Sequence, residues 1–137
     1  MKKLAFVLFC AMLLLAGCGG NKLAPLDAQF DETVLKERAA EIVDLANAGD
    51  YEGLYALVRA DVQAQVDAAT LSEAWGASIT AAGDFVEIKN IRCYGTDDPS
   101  TGEAYAVAIV NCRYAHAQHV FTLSFDANLE LVGLYLK

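Results

Sequence analysis

Apolar residues recur at helical spacing in the first half of the chain and at alternate positions in the second. Val34, Leu35, Ala39, Ile42, Leu45 and Ala46 fall on one helical face. Asp27 or Asp31 can cap this helix, which runs to about Ala48. Gly49 ends it in the usual C-terminal place. Asp50 can cap a shorter second helix carrying Leu54, Tyr55 and Val58. A third short helical stretch covers about 61–67. Thr70-Leu71-Ser72-Glu73 has the form of a capping box, in which Thr and Glu satisfy each other's free backbone donors. It predicts a helix through Trp75 and Ile79 that stops at Gly83.

From Phe85 the period changes to two, and strands are expected at about 85–94, 103–115, 118–126 and 129–136. The loop over 95–102 is dense in turn residues. His116-Ala117 and Ala127-Asn128 can form two-residue hairpin turns, though only Asn128 is a favoured turn residue. Those turns set Cys112 against Phe121, Val110 against Leu123, Leu123 against Val132 and Phe121 against Leu134. One sheet face is then strongly apolar, with Val110, Cys112, Phe121, Leu123, Phe125, Val132 and Leu134. Helices followed by a meander predict an α+β domain, N-terminal helices packed on a curved antiparallel four-stranded sheet.

The first twenty residues follow another logic. Met1-Lys2-Lys3 is positive, and Leu4 to Leu15 is an uncharged apolar run, shorter than the ~20 residues a spanning helix needs. Small residues then precede Cys18. This is the layout of an export signal. Leu15-Ala16-Gly17-Cys18 resembles the bacterial lipobox, whose cysteine is alkylated by a diacylglycerol before a peptidase cuts in front of it. The resemblance implies a signal peptide at 1–17, a lipidated Cys18 with a short tether over 18–28, and a domain at 29–137. Two acyl chains anchor stably where one is marginal. The expected location is therefore the outer side of the cell membrane, held by lipid.

Removing residues 1–17 leaves 120 residues, one domain's worth, and takes Lys2 and Lys3 but no acid. The net charge moves from −8 to −10. So negative a domain is a poor match for nucleic acid or for lying flat on an anionic membrane.

Five short pieces carry a second resemblance: Ala48-Gly49-Asp50-Tyr51, Leu71-Ser72-Glu73-Ala74-Trp75, Ala82-Gly83-Asp84-Phe85, Phe125-Asp126-Ala127-Asn128 and Val132-Gly133-Leu134-Tyr135. In this order the chain from about 30 to 137 resembles the nuclear transport factor 2-like, or cystatin-like, cone. It is most similar to a domain-of-unknown-function family within that superfamily, often found in bacterial lipoproteins. The resemblance implies a fold and no activity.

The candidate chemistry is sparse. Of the exported cysteines, Cys93 and Cys112 could form a disulfide. A hairpin centred on Asp98-Pro99 sets Cys112 opposite Phe85 or Val86, leaving Cys93 on the order of 20 Å away at ~3.3 Å per residue. A disulfide tolerates only ~7 Å between Cα atoms, so two free thiols are expected unless a bulge shifts the register. Cys112, His116 and His119 could be half a zinc site, but no strand carboxylate completes the set. Asp97, Asp98 and Glu103 crowd one loop, though not at EF-hand spacing. No metal and no cofactor are expected.

Tyr51, Tyr55, Trp75 and Phe121 could line a pocket inside the cone, although such residues are more often core. An enzyme there would need a buried acid or base, for which Glu87, Asn90 and His119 are the strand candidates. None sits in a recognisable motif. The opposite sheet face carries Tyr105, Val107, Ile109, Leu131 and Tyr135, apolar enough to suggest an interface, for instance a homodimer. The reading is a membrane-anchored, non-enzymatic domain that binds a small apolar ligand or a protein partner. The alternatives are an isomerase- or dehydratase-like enzyme using the cavity, or an interaction module with a filled core.

Overall fold

The helix-forming half folds over the sheet-forming half. In a computed structural model describing residues 24–137, four helices come first: α1 (Glu32–Asn47), α2 (Tyr51–Ala56), α3 (Ala60–Gln63) and α4 (Ala68–Ala81). Four strands follow: β1 (Phe85–Asp97), β2 (Ala104–Tyr114), β3 (Gln118–Phe125) and β4 (Leu131–Leu136). They form one antiparallel meander in the order β1-β2-β3-β4.

Asp31, not Asp27, caps α1, accepting from the Thr33 and Val34 amides at 2.8 and 3.1 Å. Its buried face is Leu35, Ala39, Ile42, Val43 and Ala46, while Val34 points outward. The third helix is a single turn at 60–63, not the stretch expected at 61–67. α4 starts at Ala68, ahead of the expected capping box. Asp67 takes the Thr70 amide at 2.7 Å, so the Thr70 backbone lies inside the helix instead of capping it.

The β2–β3 turn is Ala115-His116, one residue earlier than expected, closed by the Tyr114 amide donating to the Ala117 carbonyl. The register therefore moves by two: Val110 pairs with Phe121 and Cys112 with His119. A shift of two keeps every side chain on its face, so the predicted core face of β2 and β3 survives. The turn is fixed from outside as well. The Ala115 amide donates to Asp84 and the His116 amide to Ala82, across Gly83. Gly83 has φ +80°, and a Cβ there would meet the His116 ring at 2.7 Å.

At the last hairpin the expected two-residue turn is instead a three-residue loop, Ala127-Asn128-Leu129, with Leu129 at φ 61°. Asp126 orders it by accepting from the Asn128 and Glu130 amides. Phe125 then pairs with Leu131, the register slips between Ser124 and Phe125, and Leu123 meets Leu134. Val132 is the extra residue. It yields its expected place on the core face to Leu131, which is fully buried.

β1 is longer than expected, and bulges between Phe85 and Glu87 and between Ile88 and Asn90 change its register. Cys112 pairs with Ile88, not with Phe85 or Val86. Cys93 pairs with Ala108, four residues along β2 from Cys112, ~13 Å at the usual strand rise. Both thiols are free.

The core lies between α1, α2 and α4 and one sheet face. Trp75 of α4 meets Phe121 of β3 edge-on, with ring centroids 5.4 Å apart. His119 ties the same helix to the sheet, its ring nitrogens each 3.1 Å from a carbonyl, of Ser78 and of Lys137. Phe121→Ala should lower the unfolding free energy by about 3–5 kcal/mol. Urea denaturation would measure the loss, and a shift of Trp75 emission would show that it arises at this contact.

Candidate functional site

The interior between helices and sheet is packed. Trp75 is 6% exposed and Phe121 not at all, so this pair joins the core instead of lining an opening. Tyr55 is tied up locally: its hydroxyl donates to the Gln63 carbonyl, and Gln63 Nε2 donates back to the Tyr55 carbonyl, stapling α3 to α2. Of the four expected pocket residues, Tyr51 lines an opening.

That opening is a groove of about 430 Å³ where the end of α1 and the start of α2 meet one face of α4. Ser72, Gly76 and Thr80 recur every fourth residue and so line one side of α4. Asn47, in the last turn of α1, and Tyr51, opening α2, line the other. Beneath them the Tyr114 hydroxyl, rising from β2, donates a short hydrogen bond to Asn47 Oδ1. Burial, with the nearby Cys112 and Tyr51, pushes the Tyr114 phenol up from its ordinary value, and burial does the same to Tyr51. Both stay neutral donors at physiological pH. Asn47 Nδ2 is cut off from solvent and has no hydrogen-bond partner among the described residues. An unmet buried donor costs about 1–3 kcal/mol.

A second polar cluster closes the far end of the sheet. The chain after α2 runs beside β4, with Val58 bridging Leu131. This brings the Arg59 guanidinium to Asp61 at 2.8 Å, Glu103 at 3.1 Å and Asp126 at 3.5 Å, and over the Tyr105 ring at 5.8 Å. The Asp61 hydrogen bond does most to hold Arg59 charged, and Arg59 in turn lowers the Asp61 carboxyl from its ordinary value. Asp126, 3% exposed, has both its own loop amides and Arg59. Asp98 accepts from the Ser100 and Thr101 amides, which lower its carboxyl. The carboxylates of Asp98 and Glu103 are thus engaged by the chain itself.

The other sequence candidates are similarly occupied. Glu87 pairs with Arg113 at 3.1 Å, and Asn90 accepts from Asn111 at 2.7 Å. Cys112 and His119 are cross-strand neighbours, while His116 sits in the turn against Gly83. The expected apolar patch is smaller than foreseen. Leu131 faces the core through the bulge, Tyr105 is covered by Arg59, and Val107 is buried between its strand partners Tyr94 and Ser124. Ile109 is partly exposed and Tyr135 is 39% exposed. Cys18 lies outside the described residues.

A family model for a protein of unknown function (DUF3887) matches residues 39–134. The chain belongs to the DUF3887 family. The match runs from the middle of α1 to β4 and so includes both clusters. No curated protein matches the chain. Among solved structures it is similar to the NMR structure of a protein from Ruminococcus gnavus ATCC 29149, with a TM-score of 0.73 and 21% identity. The alignment covers 85% of this chain and 99% of that one. At that identity the likeness shows a shared fold.

Sequence reasoning missed Asn47, Tyr114, Arg59 and Asp126. Asp126 had a signal, since Asp-Ala-Asn is a turn in which an acid can accept from later amides. Arg59 had little, because two of its three carboxylate partners, Glu103 and Asp126, come from distant segments.

Two outcomes follow. Asp126→Ala leaves the Asn128 and Glu130 amides without their acceptor and removes one of the three carboxylates around Arg59, and should cost about 2–4 kcal/mol in urea denaturation, more than Arg59→Ala. Burial pushes the Cys112 thiol up to about 11 and raises that of half-buried Cys93. Thiolate is the reactive form. At pH 8, iodoacetamide should therefore label native Cys93 slowly and spare Cys112, with both labelled in urea; peptide mass spectrometry would read this.

Proposed function

We propose that this chain is an exported lipoprotein, held to the outer side of the cell membrane by lipid on Cys18. Its nuclear transport factor 2-like domain binds a ligand or partner and does not catalyse. The observation that carries the anchoring is the agreement of Lys2-Lys3, the apolar run Leu4 to Leu15 and the lipobox Leu15-Ala16-Gly17-Cys18.

The way the domain meets its tether supports this. Ala24 bridges Gly95 at the edge of β1, its carbonyl accepting from the Gly95 amide at 2.8 Å. Gly95 is suited to it, because a Cβ there would collide with the Pro25 carbonyl oxygen. Only residues 19–23 then separate the lipidated cysteine from the folded domain, a reach of ~20 Å at most. No described helix is long and apolar enough to cross a membrane. Binding is favoured over catalysis because the strand candidates Glu87 and His119 are taken up in internal contacts, while the groove at Asn47 offers neutral hydrogen-bonding groups.

The test is expression of the full chain in an exporting bacterium. The wild type should partition with membranes, and its N-terminal peptide should begin at Cys18 and carry a diacylglyceryl mass. Cys18→Ser should release the protein into the soluble fraction. A soluble wild type with a free thiol at residue 18 would overturn the anchoring.

A further inference from the structure

We infer that the outer face of the sheet pairs with the same face of a second copy of this chain, about a two-fold axis that crosses the strands level with Ala108 and Leu134. The inference goes beyond the binding reading and does not depend on the groove at Asn47.

The register fixes what this face presents. Side chains alternate across a strand, and Ala108, Leu123 and Leu134 turn inward to the core. Their strand neighbours point the other way. Arg92, Ile109 and Tyr135 fall in one row across the sheet, and Tyr94, Val107 and Gly133 in the next. The apolar side chains among them stand outside the core cluster.

Two complementarities on this face select the same axis. The first is of shape. Tyr135 is 39% exposed, and two residues before it on β4 Gly133 leaves a hollow. A Cβ at Gly133 would stand only 3.3 Å from Ser124 Cβ and Oγ, so the position is kept bare. A two-fold level with Leu134, between the two, seats each Tyr135 on the partner's Gly133. The second is of charge. On one side of that level Arg92, Arg113 and Lys137 outnumber Glu87; on the other Asp97, Asp98 and Glu103 crowd around Arg59. Glu103 and Arg113 each lie five residues from Ala108. A two-fold level with Ala108 therefore sets Arg113 over the partner's Glu103. Ala108 pairs with Leu123 and Leu123 with Leu134, so the two levels are one.

The same axis lays Ile109 on the partner's Val107 and Arg92 on the partner's Tyr94 ring, a cation–π seat. Each strand then runs antiparallel over its own counterpart, with the sheets ~10 Å apart. A two-fold running along the strands fails on both counts. It would set Tyr135 over the partner's Arg92 and the acidic end over the acidic end. That each feature finds its complement on its own face is the mark of an isologous contact, which is why the occupant is a second copy.

The tether is compatible with this pairing. Gly95, which holds Ala24, lies on the free edge of β1 close to the level of the axis. The axis passes out beyond both β1 edges, so both tethers leave on one side and two anchored copies can meet on one membrane. An anchored copy alone stands on its Gly95 end; pairing turns both onto their β1 edges.

The segment 22–137 contains the whole core cluster, from Leu26 to Leu136, and is the unit to study. Sedimentation equilibrium follows its mass up to ~1 mM, which reaches weak association. The expected result is a dimer that dissociates on dilution and weakens as salt is raised. Isotope-filtered NOEs between labelled and unlabelled copies should join the Tyr135 ring to Gly133. Tyr135→Lys and Arg113→Glu should each weaken the dimer tenfold or more, with a native-like 15N spectrum to show that each folds. Val34→Lys, which removes an exposed apolar side chain from α1, should leave the dimer unchanged. A monomer at the highest concentration would overturn the proposal. So would a dimer indifferent to Tyr135→Lys, or NOEs from Tyr135 to the partner's Arg92, which mark the parallel arrangement. Because the segment lacks Cys18, none of these outcomes bears on the anchoring.

Discussion

The contact between Trp75 and Phe121 governs where this domain can do anything. Phe121 lies on a central strand of the meander and is wholly buried, and Trp75 meets it from the helix that closes the fold. Aromatic pairs of this kind add about 0.5–1.5 kcal/mol beyond the area they bury. Its larger effect is geometric. With Trp75 seated on the sheet, the space beneath α4 is filled, and the adjoining flank of that helix turns Ser72, Gly76 and Thr80 toward the end of α1. The packed interior and the open groove thus meet along neighbouring rows of one helix, with Ile79 between them. His119 and Gly83 hold the same helix end, through the Ser78 carbonyl and the docked β2–β3 turn.

At the other end of the sheet, polar groups do the closing. Three carboxylates and a phenol surround Arg59, itself 22% exposed in its side chain. Exposed ion pairs are worth little singly, so Asp61 and Glu103 contribute mainly by keeping the guanidinium in place. Asp126 differs because it is buried. Its two loop amides and Arg59 are what make that burial tolerable. The cluster welds the β3–β4 loop to the segment after α2, and its groups satisfy one another. The Asn47 groove is the reverse case, with a donor left over. That difference separates a structural polar cluster from a candidate site.

The sequence shows the helix-then-meander order plainly because each element carries its period over several turns or residue pairs. The faces of β2 and β3 are legible too, since displacing a turn by one residue moves the register by two and preserves them. Legibility fails where one residue is added or lost. Val132 as a bulge residue turns Leu131 inward, and the two bulges of β1 move Cys112 opposite Ile88. Local propensity also yields to a stronger neighbour at Asp67, which captures the Thr70 amide before Thr70 can cap. The site was the least legible part. Tyr51 was identifiable as an aromatic on a helix face, but Asn47 matters only through the Tyr114 hydroxyl, and the two are far apart in sequence. No periodicity encodes that meeting.

The tether gives the groove a setting. Ala24 pairs with Gly95 near the end of β1 that leads into the β1–β2 loop, whereas Tyr114, under the groove, pairs with Phe85 at the strand's other end. Gly95 and Phe85 are ten residues apart on one strand, a separation of ~33 Å along it. On the anchored reading, the Arg59 end of the sheet is held toward the membrane and the groove opens at the end pointing away. A domain so attached keeps its polar, closed cluster at the lipid side. On that reading, the five residues between Cys18 and Ala24 span too little for the domain to invert over its anchor without breaking the Ala24–Gly95 bridge. On the anchored reading, the bridge therefore does more than extend the sheet edge: it biases the Gly95 end of β1 toward the membrane.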